Sequence, residues 1–240
     1  MSPDLRRHRG AHPEDRNLFA AEQMPVLRNA VGELSWLLTR AYSMKGALKL
    51  VGDRYTLTDR QRLAISRAAC SDQSKERRAR RLISTDDVAG KDLIVDGFNL
   101  LITIEAALSG GLLMICRDDC VRDLSSVHGS YRSVDETDEA IGLIGESLEI
   151  LRPASVAWML DRPISNSGRL AKRIRDAARQ KQWNWTVEVV FNPDAEITVS
   201  DRIVISADSH VLDESASWLN FSRFLIDKLL DRSWLIDLSC

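Results

Sequence analysis

From Lys91 onward the chain alternates short runs that are almost wholly apolar with longer stretches whose apolar residues recur at three and four positions. A strand apolar on both faces needs cover on both faces, and amphipathic helices between such strands supply it. The pattern therefore predicts α/β architecture, with a mainly parallel sheet inside a three-layer α/β/α sandwich of Rossmann-like type. Strands are expected at 93–95, 112–116, 156–160, 187–191 and 203–206, all in one sheet. Helices are expected near 100–109, 138–151, 168–180 and 216–230, the third of them with Leu170, Ala171, Ile174 and Ala178 on one face.

The N-terminal part has a different grammar. Residues 1–20 are polar and without period, as in a mobile tail or a loosely docked first turn. Val26, Leu27, Ala30, Val31, Leu34, Leu37, Leu38 and Ala41 then repeat at helical spacing behind Pro25, a residue suited to a first helical position. "KGALKLVGDRYTL" reads as a short helix or turn broken at Gly46 and Gly52, and Thr58 with Gln61 forms a capping box that opens a further helix. The segment "SKERRARRLISTDD" carries Lys75, Arg77, Arg78, Arg80 and Arg81 and reads as a linker, a solvated face or a phosphate-contacting edge. The division that follows is a tail over 1–20, a small all-α domain with its basic linker over 21–88, and an α/β domain over 89–240.

The formal net charge of -2 averages an asymmetry. Residues 1–91 hold 18 Lys and Arg against 11 Asp and Glu, and the remainder holds 15 against 24. A basic part beside an acidic one suits attraction of a polyanion by the first and concentration of carboxylates in the second. No apolar run approaches the roughly 20 residues of a membrane span, and the N-terminus has no apolar stretch of a signal peptide, so a cytoplasmic protein with no membrane partner is expected. Cys70, Cys116, Cys120 and Cys240 show neither CxxC spacing nor disulfide-framework density, which speaks against structural zinc and fits a reducing compartment.

In an open parallel sheet ligands bind outside the carboxyl ends of the strands. The five expected strands run there into Asp96-Gly97-Phe98-Asn99, Arg117-Asp118-Asp119, Asp161-Arg162, Asn192-Pro193-Asp194 and Ala207-Asp208-Ser209. Asp96, Asp119, Asp161, Asp194 and Asp208 would thus meet at one edge, where without a counter-ion they would repel and raise one another's pKa. Mg²⁺ or Mn²⁺ takes such hard oxygen ligands and needs no His or Cys. The phosphate loops GxGxxG and GxxxxGK[ST] are absent, which speaks against nicotinamide dinucleotides and P-loop chemistry. Phe98 stands where an aspartyl-phosphate phosphatase would carry its second aspartate, which argues against a covalent phosphoenzyme.

"LIVDGFNLL", "VAWMLDRP" and "RIVISADSHVLD" resemble, in this order, the first, third and late strand motifs of the PIN-like nucleases, especially the NYN branch. With the helical module and "CRDDCVRDLSSVHGSYR", the chain from about residue 20 is similar to a two-domain prokaryotic family of unknown function. The resemblance implies Asp96, Asp161 and Asp208 as catalytic, metal-binding carboxylates, with Asn99 and Ser206 as polar supports. Asp194, Asp201 and Asp119 compete for the fourth acid, and Ala207 is inserted into what is more commonly a Ser-Asp pair. It further implies Mg²⁺ or Mn²⁺ as cofactor, RNA as substrate, and hydrolysis by a metal-activated water that leaves 5′-phosphate and 3′-hydroxyl ends.

Near the same edge, Arg122, His128, Tyr131 and Arg132 could bind phosphate and stack a base. Ser165 and Asn166, ahead of a helix, could bind an anion or simply cap it. The helical module reads as a nucleic-acid contact or a homodimerisation element. Two other functions stand beside the ribonuclease: a non-catalytic RNA-binding or adaptor protein on the same fold, and a small-molecule phosphohydrolase.

Overall fold

The computed structural model describes residues 8–125, 131–228, 231 and 233–240. Helices α1 (Asp15–Leu18), α2 (Met24–Thr39), α3 (Met44–Arg54), α4 (Asp59–Ala68) and α5 (Asp72–Arg81) precede strand β1 (Asp92–Asp96). Then follow α6 (Gly97–Leu108), β2 (Leu112–Ile115), β3 (Val121–Asp123), α7 (Thr137–Leu151), β4 (Ser155–Asp161), α8 (Ser167–Lys181) and β5 (Trp185–Val190). The chain continues through α9 (Pro193–Thr198), β6 (Ile203–Ile205), α10 (Ser209–Glu214), α11 (Phe221–Asp227) and β7 (Trp234–Asp237). No helix among the described residues is long and apolar enough to cross a membrane.

The first sheet has the order β5-β4-β1-β6 with every pairing parallel. The inner strands β1 and β4 are apolar through their centres because both faces are covered, while the edge strand β5 carries exposed Thr186 and Glu188. Leu93 and Val95 of β1 face a core shared with α6, α7, α8 and α11, while Ile94 faces a second core with Ile197, Val211, Leu212 and Trp218. Strand order reverses between β1, from which the chain moves outward to β4 and β5, and β6, which returns on the other side. Such a switch point is where a parallel sheet opens a crevice beyond its carboxyl ends.

The expectation of five strands in one sheet is corrected. β2 lies in a second sheet of order β3-β2-β7, antiparallel to β3 and parallel to β7. Its two apolar faces satisfy two cores: Leu113 joins the core of α6, whereas Leu112, Met114 and Cys116 pack with Leu27, Leu34, Ala64 and Ile65 of the helical region. The helical region thus shares a hydrophobic core with this sheet.

Local chemistry accounts for several departures from the expected elements. α3 runs through Gly46 and Gly52, since Ser43 caps its first turn by accepting from the Gly46 N–H. The basic stretch folds as α5 because Ser71 caps it through the Ser74 N–H, Asp72 occupies the first turn and three arginines the last. The chain behind α5 then bridges Trp218, whose N–H donates to the Arg81 carbonyl. Residues 8–20 carry buried contacts: Asp15 is fully buried against Arg60, and Arg9 pairs with Glu105, a fully buried acid of α6.

Candidate metal and phosphate cleft

Asp96 is the last residue of β1 and is itself buried. The chain turns into α6 at once, and it can do so because residue 97 is glycine: a Cβ there would lie 2.6 Å from Leu160 Cδ2 and 2.8 Å from the Met159 carbonyl of the adjacent strand. Ser206, just past β6, donates from Oγ to Asp96 Oδ2 at 2.8 Å and accepts the Asp208 N–H at 3.0 Å. Asn99, one turn into α6, accepts the Ala207 N–H on Oδ1 at 2.8 Å. The inserted Ala207 is therefore the point at which α6 holds the β6 loop. Asp208 caps α10 by accepting the His210 and Val211 N–H groups at 2.8 and 3.1 Å.

Asp96, Asn99, Ala207 and Asp208 line a cleft of about 570 Å³ together with Asp161 from the end of β4 and Asp194 from the first turn of α9. Burial pushes the Asp96 carboxyl up to about 7; the Ser206 hydroxyl offsets this in part, while Asp194 and Asp208 add to it. Burial and the Asp194 charge also raise Asp161, and burial and the Asp208 charge raise Asp194. Among the described residues none of the four aspartates has a Lys or Arg salt-bridge partner. Carboxylate neighbours thus contribute to raising Asp96, Asp161 and Asp194.

The other expected site residues divide. Asp119 does not reach the cleft, because β2 belongs to the second sheet and the residue sits exposed in the β2–β3 turn at φ 61°. Asp201 precedes β6 and so lies at the opposite end of the strand. Arg122 lines the cleft but is buried against Asp118, to which it donates at 2.8 and 2.7 Å. Tyr131 is no platform for a base: it is buried, its hydroxyl donates to Glu105 Oε1 at 2.5 Å, and its ring packs on Phe98. Arg132 is exposed outside the cleft lining, and its carbonyl accepts from Arg9. Ser165 and Asn166 hold the Tyr131 backbone, through the Ser165 carbonyl and the Asn166 Nδ2 at 2.9 Å. His128 lies outside the described residues.

Sequence reasoning missed Asp123, Thr103, Ser66 and Arg67 in the lining. Asp123, buried on β3, accepts from the Thr103 hydroxyl at 2.8 Å and the Ser125 N–H at 2.6 Å. Thr103 was within reach of a periodicity argument, being four residues beyond Asn99 on the same helical face.

Whether this donor set fits a divalent cation turns on how closely it converges. The oxygens are hard and in excess of the protons and cations around them. Among the described residues, however, no three His, Cys, Asp or Glu side chains converge tightly enough to enclose an ion. Mg²⁺ commonly keeps several waters and binds through one or two carboxylates, so the cleft fits an open, water-rich site and not a closed cage.

The profile described as "Domain of unknown function (DUF5616)" matches residues 85–224. The chain belongs to the DUF5616 family. In this member a second profile, "Protein of unknown function (DUF434)", matches residues 26–81, which spans α2 to α5. The DUF5616 chain is also similar to "Uncharacterized protein MJ0935" of Methanocaldococcus jannaschii (strain ATCC 43067 / DSM 2661 / JAL-1 / JCM 10045 / NBRC 100440), with 32% identity over 205 residues, 82% of this chain and 98% of the relative. No solved structure matches it.

Proposed function

We propose that the protein is a Mg²⁺- or Mn²⁺-dependent ribonuclease of PIN-like type, acting in the cytoplasm, whose substrate phosphodiester enters the cleft at the ends of β1, β4 and β6. The observation that carries the reading is the cluster of four aspartates, without a Lys or Arg salt-bridge partner among the described residues, at the switch point of a parallel sheet. Asp96, Asp161, Asp194 and Asp208 would hold the cation. When bound, it supplies a water of lowered pKa and neutralises charge on the phosphoryl oxygens.

The chain's own residues prepare that site. Ser206 orients Asp96 and, by accepting the Asp208 N–H, ties the Asp96 carboxylate and the Asp208 backbone to one hydroxyl. Asn99 fixes Ala207 and so keeps the β6 loop against α6. A buried Asp96 near 7 exchanges its proton in the neutral range, which couples occupation of the site to pH.

Calorimetric titration with Mn²⁺ at neutral pH, on the wild type beside Asp96→Asn and Asp208→Asn, tests the reading together with cleavage of labelled RNA. Micromolar to sub-millimolar binding, lost with cleavage in either folded variant, is the expected result. The open convergence of the carboxylates favours a second reading, an RNA-binding or adaptor protein that kept the fold. RNA binding by the wild type without Mn²⁺ uptake or cleavage, even with RNA present, would establish it instead.

A further inference from the structure

We propose that Phe191 and Arg162, which follow β5 and β4 side by side, form a platform for one nucleotide of single-stranded RNA next to the scissile phosphodiester. The base stacks on the Phe191 ring, and its phosphate meets the Arg162 guanidinium. The inference rests on the ribonuclease reading and names the form of RNA that the cleft receives.

The platform comes from the register of two parallel strands. Asp161 and Val190 are the last paired residues of β4 and β5, and the Arg162 N–H donates to the Val190 carbonyl at 2.7 Å. The next residues of both strands are thereby brought together, and the Arg162 guanidinium carbon lies 4.6 Å from the Phe191 ring centroid. Phe191 is nevertheless 71% exposed, and it stands at the carboxyl end of the sheet, the edge at which ligands bind. Arg162 is exposed too, and among the described residues it has no salt-bridge partner. An aromatic ring and a guanidinium on adjoining strand ends match the two halves of a nucleotide, since every base has a face to stack and every phosphate accepts from arginine. Trp36 and Arg40 make a similar pair within one helix end, but there the Arg40 guanidinium also donates to the Trp36 carbonyl.

Position ties the platform to the cleft. Phe191 lies between two cleft aspartates: Asp161 is paired with its neighbour Val190, and Asp194 follows three residues later. Strand spacing and the step along a strand put the Phe191 Cα about 6 Å from that of Asp161. Neither Phe191 nor Arg162 lines the cleft, so the nucleotide they take is a neighbour of the bond that is cleaved. A base that stacks on a protein ring has left its own helix, and the RNA is therefore single-stranded at this point.

The test measures binding by the full chain of a 5′-labelled single-stranded oligouridylate and of the same strand with abasic residues. Ca²⁺, which shares the preference for oxygen ligands, replaces Mn²⁺ for binding, and Mn²⁺ is used for cleavage. Phe191→Ala should weaken binding of the oligouridylate about tenfold, as for loss of one stacked base, and leave binding of the abasic strand unchanged. Phe191→Trp should keep the affinity, and the emission it adds should be quenched by the oligouridylate and not by the abasic strand. Arg162→Gln should make the slope of log Kd against log salt shallower by about 0.7, the share of one phosphate on a single strand. Both side chains are exposed, so melting temperatures should match wild type in each variant. Wild-type affinity in Phe191→Ala, or an equal loss on the two strands, would overturn the inference while Mn²⁺-dependent cleavage by the wild type keeps the ribonuclease reading. A base-dependent loss in Phe191→Ala without cleavage by the wild type would keep the platform, as part of an RNA-binding protein, and remove the ribonuclease reading. Absence of RNA binding by the wild type would remove both.

Discussion

Asp118 and Asp96 each follow an apolar strand and are equally buried, at 7% exposure. Asp118 lies between two arginines: Arg78 and Arg122 both donate to it, and Arg78 also donates to Asp213 and to the Ser209 carbonyl. The paired guanidinium groups hold the Asp118 carboxyl well below the usual carboxylate range against the opposing effect of burial. Asp96 has a hydroxyl for a partner and two more carboxylates nearby, and burial carries it up to about 7. Burial therefore fixes neither charge state. The neighbour decides: one cluster joins the helical region to the sheet through paired charge, while the aspartates of the other have no Lys or Arg salt-bridge partner among the described residues.

The largest expected effect is on the paired side. Asp118→Asn removes the carboxylate that buried Arg122 and Arg78 share, leaving Arg78 only the Asp213 carboxylate, and should cost about 3–5 kcal/mol in urea unfolding, the range for breaking a buried ion pair. A loss below about 1 kcal/mol would mean that the cluster is exposed to water and the contrast with Asp96 is false.

At the unpaired cluster the sign reverses. A carboxyl raised in the folded state destabilises the fold when ionised, so stability falls as pH rises from the unfolded value of 3.8 through about 7. Asp96→Asn removes that penalty and should stabilise the metal-free protein at pH 8, by roughly 4 kcal/mol at most, with the gain vanishing near pH 4. Asp118 gives the opposite slope: its stabilisation is present above 3.8 and is lost as pH falls below it. Metal-free wild type should thus be most stable in mildly acid solution, and a melting curve that climbs from pH 5 to pH 8 would contradict the Asp96 assignment.

A divalent cation should erase the contrast by giving Asp96 what Asp118 already has. At a hundredfold excess over Kd, Mn²⁺ should stabilise the wild type by about 2.7 kcal/mol, reversibly with chelator. Affinity should increase from pH 6 to pH 8 as Asp96 gives up its proton. Equal stabilisation of Asp96→Asn would place the ion elsewhere.

The two clusters were unequally visible in the sequence. Asp96, Asp161, Asp194 and Asp208 end or follow strands of one parallel sheet, so reading the carboxyl ends of the strands grouped four residues that line one cleft. Asp118 was seen only as a neighbour of Asp119, because an apolar run such as Leu112–Ile115 looks the same whether its second face packs on a helix of its own sheet or on the N-terminal helices. Arg78 was hidden among arginines, and a run of charge carries no mark of the one member that is 2% exposed. β3 is three residues long with Arg122 and Asp123 buried, so it has no apolar alternation to read. The Ser71 cap and Asp72 at the head of the same run were legible signs of a helix.

Asp119 gives the smallest effect and the cleanest separation of position in sequence from position in space. It is adjacent to Asp118 and was a candidate for the fourth ligand, yet it sits exposed in the turn, outside the cleft lining, where its carbonyl accepts from Asn220. Asp119→Asn keeps a residue that tolerates the left-handed conformation at φ 61°, so backbone strain does not enter the comparison. Its stability should stay within about 0.5 kcal/mol of wild type and its Mn²⁺ affinity should not move. A measurable loss of Mn²⁺ binding would bring the β2–β3 turn into the metal site, and the division between a paired and an unpaired cluster would then fail at the one residue that borders both in sequence.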